Sequence, residues 1–258
     1  MLETALWLLG VALEAVIIVL LVHRRIARPL PVFLIFCIWN LSSDLASRFV
    51  GTRYGYSSQA YFRYYVTGNT IDTLVLLAVL IELTWSVIRP YRSSLSRKIL
   101  LGIAIGVIAV GCAIWPFTGV AGLHVPKDWV APLRIQQTSA TLRILYFLAL
   151  AAMSQVLGIG WRNRELQIAT GLGFYSLMLL GATMLHTHHA SQALFHAIDI
   201  MVAASYVCSL VYWVISFSQQ EAPRQEFSPR MQTLLFTVAG AARAGRVGLE
   251  EERRKVKR

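Results

Sequence analysis

Charge is what this sequence has least of. Aspartate, glutamate, lysine and arginine make up only 14% of its 258 residues, against about 25% in an ordinary soluble domain. A chain so poor in charge has too little polar surface to stand in water, which excludes a soluble globular protein. Cysteine is scarcer still. Cys37, Cys112 and Cys208 form no CxxC pair, and no loop offers two for an exterior disulfide. All three fall in apolar stretches and are expected as small buried side chains. No HExxH or similar compact metal motif is present. No repeat relates the first three apolar stretches to the last three, and no Pro-Gln motif of the small sugar-transporter type occurs. The first stretch also lacks the basic region of a signal peptide. Glu3 precedes it, Glu14 interrupts it and His23-Arg24-Arg25 follow it, so a retained helix is expected.

What the chain does have is apolar length. It is 56% hydrophobic with a mean hydropathy of +0.58. Seven apolar stretches lie near 3–22, 31–50, 68–88, 99–117, 138–158, 167–186 and 193–217. A spanning helix needs about 20 such residues. The expected fold is therefore an all-α integral membrane protein: a seven-transmembrane-helix bundle over 1–217, with a polar tail over 218–258. Pro31 opens the second stretch as a first-turn proline, while Pro90 and Pro116 close the third and fourth.

Orientation follows from the basic residues. Arg24, Arg25, Arg28, Arg89, Arg92, Arg97, Lys98, Arg162 and Arg164 fall on one side, together with the basic tail. The other side receives only Arg53, Arg63, Lys127 and Arg134. Positive loops stay in the cytoplasm, which puts the N-terminus outside and the C-terminus inside. The net charge of +11 then fringes the helices, where it meets anionic lipid headgroups rather than nucleic acid. Tyr54, Tyr56, Tyr61, Tyr64 and Tyr65 outside, with Trp85 and Trp161 inside, read as interfacial belts. The outer segments 51–67 and 118–137 read as the longer loops.

In the tail, Ser228-Pro229 reads as a helix start. Met231, Leu234, Leu235, Val238 and Ala242 share one helical face. An amphipathic helix near 229–243, followed by a basic cluster, suits the inner leaflet or a cytoplasmic protein partner.

Five acids fall inside the spans: Glu14, Asp44, Asp72, Glu82 and Asp199. Each costs about 2.5–3.5 kcal/mol at the bilayer centre. Asn40, Asp44 and Arg48 are spaced i, i+4, i+8, which predicts a polar stripe with an Asp44–Arg48 pair. Asn69 with Asp72, and His196 with Asp199, are spaced i, i+3, and Arg143 is a counter-ion for Asp72 or Asp199. Lipid is a poor neighbour for such rows, so Asn40, Asp44, Arg48, Asn69, Asp72, Arg143, His196 and Asp199 are expected to converge on an outward-facing polar pocket. Glu14 and Glu82 are candidate proton carriers. Four of the six histidines crowd into 186–196. His186, His189 and His196 with Asp199 could hold a divalent metal such as zinc, or simply form an exposed polar turn.

Known seven-helix families are not matched by these residues. A microbial rhodopsin carries a lysine in its seventh helix, and 193–217 has none. Leu83-Thr84-Trp85 and Ser209-Leu210-Val211-Tyr212 stand where a G-protein-coupled receptor has its DRY and NPxxY motifs. Intramembrane zinc hydrolases pair histidines at i, i+4 in the last helix and add more in helices two and three; here Asp44 and Asp72 occupy those helices without a histidine. The first expectation is a small-ligand receptor or sensor signalling to its cytoplasmic side. The alternatives are a metal-dependent intramembrane hydrolase and a proton-coupled small-solute transporter. Short loops and arginine-rich turns suit a plasma membrane, specifically a bacterial inner membrane.

Overall fold

A computed structural model describes residues 2–56, 58–88, 98–118, 127–153, 163–188 and 192–219. Among the described residues the chain forms helices and no strand: α1 (Leu2–His23), α2 (Pro31–Tyr54), α3 (Gln59–Ile88), α4 (Lys98–Ile114), α5 (Lys127–Met153), α6 (Arg164–His188) and α7 (Gln192–Ser218). Successive helices pack side by side, and α7 returns to α1 to close a ring. α3 also reaches α5 directly, leaving α4 on the outside against those two.

Among the described residues, five helices are long and apolar enough to cross a membrane: α1, α2, α3, α6 and α7. The apolar part of α4 is shorter, at Ala104–Ile114. α5 is diluted by Arg134, Gln136, Gln137 and Arg143. Large aliphatic side chains stand exposed around the bundle, among them Val19, Ile35, Leu74, Leu101, Leu148 and Leu177. So broad an apolar surface is rare on water-soluble monomers and suits a lipid environment. Cys112 and Cys208 belong to this outer surface, and only Cys37 is buried. The expectation of three buried thiols therefore fails for two of them. A weakly polar thiol is as comfortable against lipid as in a core.

The helices also run longer than their apolar stretches. α3 begins at Gln59 rather than near 68, and α5 at Lys127 rather than near 138. Much of what reads as outer loop is helix. The reason is length: the 30 residues of α3 extend about 45 Å, well beyond the roughly 30 Å of hydrocarbon that hydropathy registers. Between α2 and α3 the chain turns at Gly55, whose φ of 83° suits only a residue without a side chain.

The two ends of the bundle are built differently. At the arginine end, the ends of α1, α3 and α7 meet the starts of α2 and α6. The carboxylate of Glu82 on α3 accepts from the backbone N–H groups of Val32 and Phe33, each at 2.8 Å. It thereby caps α2, which has no side-chain cap of its own at Leu30. Arg164 is buried and donates to the carbonyls of Ser216 and Gln219. Arg24 donates to the carbonyl of Ser218 at 3.0 Å. The last carbonyls of α7 are thus held by two arginines. Ser86 on α3 donates to Glu165 on α6 at 2.7 Å.

The main apolar core lies beside this network. It includes Leu21, Phe33, Leu76, Leu80, Leu83, Ile168, Leu210 and Phe217. Residues 220–258, including the amphipathic segment 229–243, lie outside the described residues. Replacing Glu82 by alanine uncaps α2 and is expected to lower stability by about 2 kcal/mol, with a smaller loss for Glu82→Gln. Thermal unfolding in detergent, followed by circular dichroism, measures both. Equal melting of all three proteins would refute the capping role.

Candidate functional site

Residues three, four and seven apart share one face of a helix. On α2 this places Asn40, Ser43, Asp44 and Ser47 in one stripe, and on α3 Tyr65, Asn69 and Asp72 in another. Gln136 and Arg143 share a face of α5, while Asp199, Tyr206 and Trp213 follow the same rule along α7. All of these faces, with that of α6 carrying Gly171, Tyr175 and Thr183, line a single cavity of about 630 Å³. That is within the range of small-molecule sites, roughly 300–1,000 Å³. The cavity lies among α2, α3, α5, α6 and α7, towards the end away from the arginines.

Among the described residues its charged groups are Asp44, Asp72, Asp199 and Arg143. Arg143 is only 7% exposed. Its guanidinium lies over the ring of Tyr175, 5.7 Å from the centroid. Arg143 and Asp72 are coupled electrostatically without being joined in a direct ion pair. The Nε of Arg143 is buried and has no hydrogen-bond partner. Asp44 and Asp72 line the cavity from α2 and α3 respectively.

Tyrosines form much of the wall. The Tyr64 hydroxyl donates to the carbonyl of Ser43 at 2.8 Å, tying α3 to α2. Tyr175 and Tyr206 meet edge to face at 5.3 Å. The Tyr206 hydroxyl donates to Glu14 on α1. Glu14 is 2% exposed, and its other carboxylate oxygen has no partner.

The cavity is closed towards the arginine end by Phe36 and Trp213. α2 and α7 are not neighbours in the ring, so aromatic rings span the gap between them. Trp213 packs edge-on against Phe33 at 5.4 Å, and its indole N–H donates to the Gln167 carbonyl at 3.2 Å. The indole lies directly over Gly171, where any Cβ would collide with it. A second cavity, of about 310 Å³, lies between α1, α2 and α7 and shares Asp44, Asp199 and Tyr206 with the first.

No known protein family, curated protein or solved structure matches this chain.

Of the residues singled out in the sequence, Asn40, Asp44, Asn69, Asp72, Arg143 and Asp199 all line the main cavity. Arg48 and His196 do not. The expected Asp44–Arg48 pair is absent: the Arg48 guanidinium stacks on Trp7 of α1, 4.5 Å from the ring centroid. A long side chain near a helix end can leave its own stripe for an aromatic face, whereas the short Asp44 stays in the cavity wall. His196 is exposed.

Glu82 acts as the cap of α2 and stands outside the cavity. Glu14 reaches the cavity only through Tyr206. Among the described residues no group of three histidine, cysteine or acidic side chains could hold a metal ion. His189 and the side chain of His186 lie outside the described residues, so the proposed ligand set of His186, His189, His196 and Asp199 is not drawn together within them.

Sequence reading missed the tyrosine walls and the tryptophan floor. Ser43 and Ser47 could have been found, because they complete the i, i+3, i+4, i+7 face of Asn40 and Asp44. Tyr64 and Tyr65 look like belt residues until α3 is seen to start before them. Tyr175, Tyr206 and Trp213 sit in apolar runs with no local mark. Removing the Tyr206 hydroxyl by Tyr206→Phe leaves Glu14 buried without its donor. A loss of about 1–3 kcal/mol is expected, with Glu14→Gln milder because its amide oxygen still accepts. Unfolding of the two variants in the same detergent gives the comparison, and an unchanged Tyr206→Phe protein would disprove the pairing.

Proposed function

We propose that this chain is a seven-helix membrane receptor or sensor whose polar cavity binds a small polar or ionic ligand from outside the cell. One observation carries the reading: the polar faces of four separate helices, and the tyrosine face of a fifth, converge on one cavity. Convergence of intramembrane charge is costly and marks function by default. The basic residues of the arginine end belong to the cytoplasmic side by the positive-inside rule, which makes the cavity outward-facing. A bacterial inner membrane is the proposed location.

Signalling would pass along α7. Ser209 and Trp213 line the cavity. One turn further on, Phe217 packs against Phe33 at 6.0 Å, and the carbonyls of Ser216 and Ser218 are held by Arg164 and Arg24. A ligand that moves Trp213 thereby bears on the clamp from which the tail departs. The tail would carry the response to anionic lipid or to a cytoplasmic protein.

A second reading, a proton-coupled transporter, draws on Glu14. This buried carboxylate touches Tyr206, and Tyr206 lines both cavities. Substrate uptake lost in Glu14→Gln would favour it over the receptor.

Single-cysteine labelling tests the outward cavity. In a background with Cys37, Cys112 and Cys208 replaced by alanine, Asn69→Cys is expected to react with a membrane-impermeant maleimide on intact cells. Arg28→Cys is expected to react only after permeabilisation. The opposite pattern would reverse the orientation, and an Asn69→Cys protein inert under both conditions would refute a water-accessible pocket.

A further inference from the structure

We infer that the cavity recognises a small ligand carrying both an ammonium and a carboxylate, as in a free amino acid. This inference rests on the ligand-binding reading above and names the class of ligand.

The acceptor half follows from Arg143. Its side chain is held in the cavity wall with only 7% of its surface exposed. Its Nε–H meets no acceptor, and Asp72 lies near without forming a direct ion pair. A buried guanidinium donor without a partner is costly, and a planar carboxylate is the group that fits its fork best. The guanidinium lies over the Tyr175 ring, and its donor edge is the recognition element.

The ammonium half follows from Asp44, which lines the same cavity as Arg143 and Asp72. Asp44 makes no hydrogen bond or ion pair among the described residues. A ligand ammonium beside Asp44 would supply its partner. The rings of Tyr65, Tyr175 and Tyr206 around the same space offer it further stabilisation through their faces. A lone carboxylate ligand would leave Asp44 without a partner, and a lone amine would leave Arg143 without an acceptor. A molecule with both groups satisfies both sides.

Free amino acids and the serine headgroup of a lipid share this chemistry, so the test separates the two. The full chain in phosphatidylcholine nanodiscs is titrated calorimetrically with L-lysine, with cadaverine, which lacks only the carboxylate, and with hexanoate, which lacks both ammonium groups. Saturable lysine binding is expected, about tenfold or more tighter than that of cadaverine, with hexanoate weaker still. Arg143→Gln is expected to bring lysine down to the affinity of cadaverine, and Asp44→Asn to weaken both. The lysine-to-cadaverine ratio on the unaltered chain decides the matter even where a variant does not fold.

Unchanged lysine affinity when phosphatidylserine is added supports a free solute as the source. Competition by phosphatidylserine supports the same chemistry presented by a lipid. Equal affinity for lysine and cadaverine overturns the inference and leaves a cation-binding pocket standing. No saturable binding of any probe overturns it as well, while the cysteine labelling independently judges whether the pocket is open to water.

Discussion

Everything in this bundle depends on the lack of hydrogen-bonding partners in hydrocarbon. A helix satisfies its own backbone, but it cannot satisfy an aspartate or arginine on its flank. Five acids and two arginines were placed within apolar stretches by the sequence, and the fold answers most of them by turning their faces inward. Helix order, the peripheral position of α4 and the central void are consistent with that single demand. Close apolar packing then fills the remaining space, as in the cluster around Phe33, Leu80 and Leu210.

The interior polar groups are treated in two contrasting ways. At the arginine end several hold helix ends or each other: Glu82 accepts from two backbone amides, Arg164 donates to the closing carbonyls of α7, and Ser86 donates to Glu165. Such bonds fix helix ends and rigidify one half of the molecule. In the other half the polar groups line the cavity, where the Arg143 Nε has no hydrogen-bond partner among the described residues.

The helices were legible because apolar runs of about 20 residues leave few alternatives. Asn40, Asp44, Asn69 and Asp72 were legible as cavity residues for a related reason: a costly side chain at helical spacing must face inward. The rest depended on information that hydropathy does not carry. The true starts of α3 and α5 lie in amphipathic and aromatic sequence that reads equally as loop. Arg48 had two acceptable partners, Asp44 along its own helix and Trp7 on another, and only the packing of α1 against α2 selects the second. Glu82 resembled Glu14 in sequence, yet one meets the bare start of a helix and the other a tyrosine. Tyr175, Tyr206 and Trp213 are ordinary components of apolar spans until the ring closes around them.

The contact between Trp213 and Gly171 has a consequence for how this protein can vary. The indole occupies the place where residue 171 would carry its first side-chain carbon, and it reaches across to the Gln167 carbonyl. Positions 171 and 213 therefore form one unit of inheritance. A lineage can enlarge the first only after shrinking the second, and a smaller second residue opens the partition between the cavity and the apolar core beside the arginine end. Divergent copies of this chain should keep glycine with tryptophan, or exchange both and with them the depth of the chamber.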